Sequence, residues 1–216
     1  MNKINTRAIT LAATLTALCF VTGMLPYVFF LPVMVAATTL SLGMTAFVGL
    51  AFGAVSIMYC FVMPASPVAY AFIEAPYIAI FPRILAAVGA FAVYRLILKL
   101  AKPKKRATRA VAVGAAAATG SVLNTAFVVG LFLLVVPSMQ VGEVTMLAYA
   151  PIMLVSGAIE LACMAVITPP VSMTLDKFVL NRAKKRPIAS VAVQASAQTN
   201  GADAAAQPEA QTDEKD

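Results

Sequence analysis

The chain has no histidine and no tryptophan, and only 12% of its 216 residues are Asp, Glu, Lys or Arg. Soluble domains carry about 25% charged residues, so this composition favours a protein embedded in a membrane. The absence of histidine excludes a Ser-His-Asp triad, a histidine zinc site and a histidine proton relay. The apolar segments also lack paired acids, so we predict no enzyme activity, no metal and no cofactor.

Two further motifs are missing. Cys19, Cys60 and Cys163 lie singly in apolar segments without a C-x-x-C spacing, so they are predicted to be small buried side chains. Residues 114–121 are rich in glycine and alanine but lack the lysine of a phosphate-binding loop. The chain is therefore not expected to hydrolyse ATP through such a loop.

Long apolar runs dominate what is present. Hydrophobic residues make up 61% of the chain, and no charged residue occurs between Ala8 and Ile73. One membrane span needs about 20 apolar residues, so the runs allow roughly six helices. The predicted spans are residues 7–25, a short helix from 33 that ends at Ser41-Leu42-Gly43, and residues 44–62, 82–98, 110–136 and 151–175. The proline-broken stretch 63–81 is predicted to be a loop or a re-entrant segment.

The basic residues lie beside the apolar segments, around Lys3, in residues 99–109 and in residues 177–186. This placement is typical of orientation signals and does not favour nucleic-acid binding. If all three groups are cytoplasmic, four helices precede Lys99, two follow it, and both termini are cytoplasmic. Residues 1–186 then form a six-helix membrane domain. Residues 187–216 contain mainly Ala, Gln, Ser and acids, and are predicted to be a disordered cytoplasmic tail.

A few polar residues interrupt the apolar runs. A charge in the hydrocarbon costs roughly 2.5–3.5 kcal/mol on insertion scales, which makes a retained charge a functional candidate. Arg83 and Glu160 are two such charges. Ser121, Asn124 and Thr125 share one helix face because they are spaced i, i+3, i+4. We expect these residues to converge in the outer half of the membrane, either as a ligand site or as a buried Arg83–Glu160 pair that holds helices together.

Small residues recur at a spacing that lets helices approach closely. The pairs are Ala8 and Ala12, Ala13 and Ala17, and Gly49 and Gly53.

Several stretches occur in an order that resembles a known family. Residues 7–18, Ser66-Pro67, Phe81-Pro82-Arg83, residues 120–125 and Gly157-Ala-Ile-Glu160 followed by Pro169-Pro170 resemble the S components of energy-coupling factor (ECF) vitamin transporters. The resemblance covers residues 6–176, and the Pro-Arg and Asn-Thr pairs look most like the pantothenate-type branch. The chain departs from the pattern at Glu74-Ala-Pro76, where Asn-Pro is expected.

This resemblance implies a subunit of the bacterial cell membrane that captures a vitamin or its precursor outside the cell. It would dock on a transmembrane coupling (T) subunit driven by two ATPase subunits, and would rotate in the bilayer to release its cargo. The docking residues would be Ala13 and Ala17, with Ala8 and Ala12 as the alternative register. The substrate-binding residues would be Arg83, Ser121, Asn124, Thr125 and Glu160, with Glu74 either joining them or remaining a solvated loop acid.

The main alternative is a self-sufficient secondary transporter or channel for a small solute. Such a protein would need a site that couples transport to an ion, and Glu160 could supply it.

Overall fold

The computed structural model describes residues 6–25, 27–62, 67–101, 106–135, 140–141 and 144–204. Within these ranges the chain is almost entirely helical, as the sequence predicts. The elements, in chain order, are α1 (Thr6–Thr22), α2 (Leu31–Thr39), α3 (Leu42–Val62), α4 (Pro67–Glu74), α5 (Pro76–Ala101), α6 (Arg106–Val135), β1 (Gln140–Val141), β2 (Val144–Thr145) and α7 (Met146–Ala204). Strands β1 and β2 form a short antiparallel ladder before α7.

Four of the described helices are long and apolar enough to cross a membrane, namely α3, α5, α6 and the Leu147–Leu175 part of α7. The apolar stretch of α1, Ala8–Thr22, is shorter. Large apolar side chains project outward from these helices, and Leu134 is 81% exposed and Val166 is 73% exposed. Such an apolar exterior fits lipid, so a membrane-embedded helical protein is supported. The number of six spans stays a prediction.

Helices α1 and α3 end at the same end of the bundle. The hydroxyl of Tyr59, near the end of α3, donates to the carbonyl of Phe20, near the end of α1. The first residue of α3 lies about 30 Å away from that end, because the 21 residues of the helix rise about 1.5 Å each. Residues 23–41 must therefore carry the chain back through the bundle.

The return is made partly by α2, which is the short second helix that the sequence predicts. It has 9 residues and a length of about 14 Å, so it cannot by itself cross a hydrocarbon layer of about 30 Å. Its residues from Pro32 to Thr38 are all buried. The helix ends where the backbone of Leu40 becomes extended, beside the predicted break at Ser41-Leu42-Gly43.

Basic side chains gather at one end of the bundle, here called the basic end. Lys99 lies in the last turn of α5 and Arg106 begins α6, and both are exposed. The N-terminus of α1 lies at this end as well, because its C-terminus meets the far end of α3. The opposite end, where α3 ends and α5 begins, is here called the cavity end. That the basic end faces the cytoplasm stays a prediction from the distribution of lysine and arginine.

The structure contradicts the loop predicted at 63–81 in the part of that segment that it describes, whereas the re-entrant alternative stays a prediction. Residues 67–74 form α4, and α5 begins at Pro76 instead of Pro82. Proline prefers the first turn of a helix, which is why the sequence places a helix start at Pro82. The structure instead keeps Pro82 buried inside α5, where the backbone lacks one hydrogen-bond donor.

Helices α3 and α5 approach closely along the Gly49 and Gly53 face of α3. A Cβ atom placed on Gly49 would lie 2.9 Å from the carbonyl oxygen of Arg83, and one on Gly53 would lie 2.9 Å from the Cα of Ile80. Only glycine leaves room for the α5 backbone at these positions. The close packing fixes the depth of Arg83 against α3.

The chain divides into two units, Met1–Met173 and Thr174–Asp216. Helix α7 ends in the second unit, at Ala204. The disordered cytoplasmic tail predicted for residues 187–216 stays a prediction. Residues 205–216 of the predicted tail lie outside the described residues.

Candidate functional site

A cavity of about 400 Å³ opens at the cavity end of the first unit. Its size lies within the range of roughly 300–1,000 Å³ that is usual for small-molecule sites. The polar side chains that line it are Arg83, Asn124, Thr125, Ser156 and Glu160, and the aromatic ones are Tyr27, Phe29, Phe72 and Tyr149. Residues from α4, α5, α6, α7 and the connection between α1 and α2 thus line one open cavity.

Arg83 of α5 is the cation of this cavity. Its side chain is only 6% exposed. Its Nη1 atom donates to the carbonyl of Ile78 at 3.2 Å, and its guanidinium carbon lies 4.7 Å from the centre of the Phe72 ring. The Nε atom is buried without a hydrogen-bond partner. Among the carboxylates whose side chains the structure describes, none lies within 4.0 Å of the guanidinium nitrogens.

Glu160 of α7 also lines the cavity and is likewise 6% exposed. Its Oε1 atom accepts a hydrogen bond from the Ser121 hydroxyl at 3.1 Å. Ser121 therefore fixes Glu160 without lining the cavity itself. The arrangement differs from a direct Arg83–Glu160 pair, because each of these two side chains has its own neutral partner.

Asn124 and Thr125 lie one turn further along α6. The Asn124 side chain is 5% exposed, and its Oδ1 oxygen is buried without a partner. Thr125 packs against Gly157 of α7, where an added Cβ would lie 2.6 Å from the threonine hydroxyl. A buried acceptor without a donor costs about 1–3 kcal/mol, so the Asn124 amide oxygen is open to a donor from a ligand or from water.

Glu74 does not line the cavity. It is exposed at the end of α4, and its predicted role in binding stays a prediction.

The alanines of the two small-residue registers face different ways. Ala13 and Ala17 are exposed, whereas Ala12 is 2% exposed and Ala8 is half-buried. Only the register of Ala13 and Ala17 is therefore free to meet another helix.

The aromatic wall of the cavity was missed by sequence reasoning. Phe72 lies in the segment 63–81 that is predicted to be a loop or a re-entrant segment, and Tyr149 lies between the predicted spans 110–136 and 151–175. An aromatic side chain beside a membrane helix can face lipid, protein or ligand, and its sequence does not distinguish these cases. For Tyr27 the sequence did offer a signal, because this residue lies between two prolines, Pro26 and Pro32. In the structure its φ is 63°, a backbone conformation that is uncommon outside glycine.

The chemistry of the cavity is that of binding. Its lining offers the Arg83 cation, oxygen acceptors on Asn124 and Glu160, and several aromatic rings. In the described part of the chain, no group of three His, Cys, Asp or Glu residues could hold a metal ion. A small molecule with an anionic group and hydrogen-bond donors would pair with these polar groups.

No family model matches the chain, and no curated protein matches it by sequence. Its function must therefore be argued from its residues and their geometry.

Proposed function

We infer that the chain is the substrate-binding membrane subunit of an ECF-type vitamin importer, an S component. It captures a vitamin or vitamin precursor at the outer face of a bacterial cell membrane. Transport then requires a T subunit and two ATPase subunits. The observation that carries the proposal is the cavity at the end opposite the basic residues, with a buried Arg83 that has no described carboxylate within 4.0 Å.

The Arg83 cation favours an acidic group on the ligand. A buried guanidinium with no carboxylate within 4.0 Å is costly, and a bound carboxylate would offset that cost through charge-assisted hydrogen bonds. Elsewhere in the lining, Asn124 Oδ1 and Glu160 accept hydrogen bonds from donors such as hydroxyl or amide N–H groups. Pantothenate, which has a carboxylate, hydroxyl groups and an amide, carries this combination.

The exposed face of α1 supports the partner part of the proposal. Ala13 and Ala17 lie on it, and the nearby Phe20 and Val21 are 42% and 66% exposed. Small residues framed by larger apolar ones allow close contact with a helix of another subunit.

Native mass spectrometry and calorimetry test the binding claim. The purified chain should carry a small acidic molecule, and a panel of water-soluble vitamins should contain one that binds with submicromolar affinity. Arg83→Ala should abolish co-purification, whereas the surface variant Lys99→Ala should keep it. If no member of the panel binds and no molecule co-purifies, the chain is not a vitamin-binding subunit.

Liposome uptake separates the proposal from a self-sufficient transporter that uses Glu160. Liposomes with the chain alone should show no uptake of the bound vitamin. Liposomes that also contain a T subunit and ATPase subunits should show uptake that depends on ATP. Uptake by the chain alone, driven by an ion gradient and lost in Glu160→Gln, would instead establish the secondary transporter.

A further inference from the structure

The hydrogen bond of Arg83 uses a carbonyl that an ordinary α-helix does not leave free. In α5 the carbonyl of Ile78 would accept from the backbone N–H four residues later. That residue is Pro82, which has no N–H and whose ring crowds the same carbonyl. The carbonyl is thereby open to another donor, and the Nη1 atom of Arg83 donates to it at 3.2 Å.

A second contact comes from another helix. Phe72 of α4 places its ring centre 4.7 Å from the guanidinium carbon of Arg83. The same ring stacks on Phe132 of α6, with ring centres 5.4 Å apart and an interplanar angle of 22°. Phe72 is 6% exposed and Phe132 is 2% exposed, so the ring that contacts the guanidinium is itself held by packing.

These two contacts matter because Arg83 has a long side chain and no described carboxylate within 4.0 Å. A free guanidinium would have to lose rotational freedom when an anion bound, and that loss would weaken binding. A guanidinium held in advance by a carbonyl and a ring keeps its remaining N–H groups at a fixed place beside the cavity that Arg83 lines.

We propose that Pro82 and Phe72 are positioning residues that hold Arg83 ready for an anionic group in the cavity. Pro82 acts by leaving the Ile78 carbonyl open, and Phe72 acts through its ring. Together, the Phe72 ring and the Ile78 carbonyl form the Arg83 anchor. That Arg83 selects an anionic ligand rests on the proposed function. That Phe72 and the Ile78 carbonyl hold the Arg83 side chain when no ligand is bound does not rest on it.

The variant Pro82→Ala gives the sharpest test. It restores the backbone donor to the Ile78 carbonyl and removes a proline from the interior of a helix, where alanine is strongly preferred. The Tm of the purified chain should rise or stay the same, while affinity for pantothenate falls about tenfold. Affinity for panthenol, the neutral alcohol analogue, should change less than about twofold, because panthenol has no carboxylate that could pair with Arg83. If Tm and both affinities fell together, Pro82 would be only structural.

Phe72→Leu tests the ring, with Phe29→Leu as the matched control. Phe29 also lines the cavity, and it stacks on Phe52 instead of Arg83. Phe72→Leu should weaken pantothenate by about threefold to thirtyfold, the range of a cation–π contact, and panthenol much less. Phe72→Tyr should restore the preference for the anion, and Phe29→Leu should weaken both probes alike. Equal losses of both probes in Phe72→Leu would contradict the proposal.

An NMR measurement without any ligand keeps this proposal separate from the proposed function. The Nε–H signal of Arg83 is identified as the one missing from Arg83→Lys. It should be shifted upfield by the Phe72 ring, should lose that shift in Phe72→Leu and should keep it in Phe29→Leu. An unchanged signal in Phe72→Leu overturns the Arg83 anchor even if pantothenate binds. If the wild type binds neither probe, the pantothenate assignment fails, and the Arg83 signal still decides whether the anchor exists.

Discussion

Arg83, Asn124 and Glu160 show what single residues contribute to this cavity. Each is at most 6% exposed, and each comes from a different helix. Two of them have a buried polar atom without a partner, namely Arg83 Nε and Asn124 Oδ1. Such atoms are uncommon in folded proteins, and each needs an explanation. A ligand that pairs with both atoms supplies one.

Truncating these residues should weaken an acidic ligand to different extents. Arg83→Ala should cost about 2–5 kcal/mol of binding free energy, as expected when one partner of a buried charged contact is removed. Asn124→Ala should cost about 1–3 kcal/mol, as for one lost buried hydrogen bond. Titration calorimetry with the vitamin identified by mass spectrometry measures both values.

Circular dichroism on both variants provides the control for folding. Unchanged affinity in both, with helical content retained, would show that the ligand binds elsewhere and that the polar cluster serves the fold.

At the scale of helices, glycine sets how closely α3 can pack on α5. At Gly53 an added Cβ would meet the Cα of Ile80 at 2.9 Å, and a backbone atom cannot move aside as a flexible side chain can. The backbone that Gly53 contacts belongs to the first turns of α5, just before Arg83. The depth of the guanidinium in the cavity therefore depends on this helix pair.

Gly53→Ala should lower the stability of the purified chain, because α5 must shift or the contact must open. We expect a loss of about 1–3 kcal/mol, the usual range for overpacking. Gly130→Ala in α6 is the matched control, since nothing lies within 4 Å of its added Cβ and alanine is preferred to glycine in a helix by about 1 kcal/mol. Thermal unfolding in detergent should give the highest Tm for Gly130→Ala, a lower Tm for the wild type and the lowest Tm for Gly53→Ala. The reverse order for the two variants would contradict the packing described here.

The helices also show how far sequence reasoning reaches. The break near Ser41 was predictable because the apolar run was too long for one helix and contained Ser-Leu-Gly. The shared face of Ser121, Asn124 and Thr125 followed from helical spacing alone. The start of α5 was not predictable, since Pro82 carries a strong signal for a helix start that tertiary packing overrides. The aromatic wall was not predictable either, because an apolar ring carries no mark of the surface that it faces.

For the whole molecule, the distribution of basic residues predicts an orientation in the membrane. Glu74 lies at the cavity end and Lys99 at the basic end, and both are exposed. In intact cells, an impermeant thiol reagent should label Glu74→Cys and should fail to label Lys99→Cys until the membrane is opened. The three native cysteines, Cys19, Cys60 and Cys163, are replaced by serine for this experiment. Labelling of Lys99→Cys from outside would invert the orientation.

Under the proposed function, the exposed face of α1 is the surface that contacts another subunit. Ala17→Trp should abolish uptake by the complete importer and leave vitamin binding by the isolated chain intact, because a large side chain blocks close helix contact. Ala12→Trp is the comparison. Ala12 is 2% exposed, so this variant should unfold the chain or lose binding as well. If Ala17→Trp also lost binding, its face would pack within the subunit.

The half-length of α2 has a consequence for how such a protein can diversify. A longer second helix would replace the connection that precedes α2, and this connection supplies Tyr27 and Phe29 to the cavity. The lining of the cavity therefore depends on where α2 begins. Substitutions of the lining side chains can change the shape and polarity of the cavity while the helices and their glycine contacts stay the same. Under the proposed function, such substitutions would change which small molecule binds.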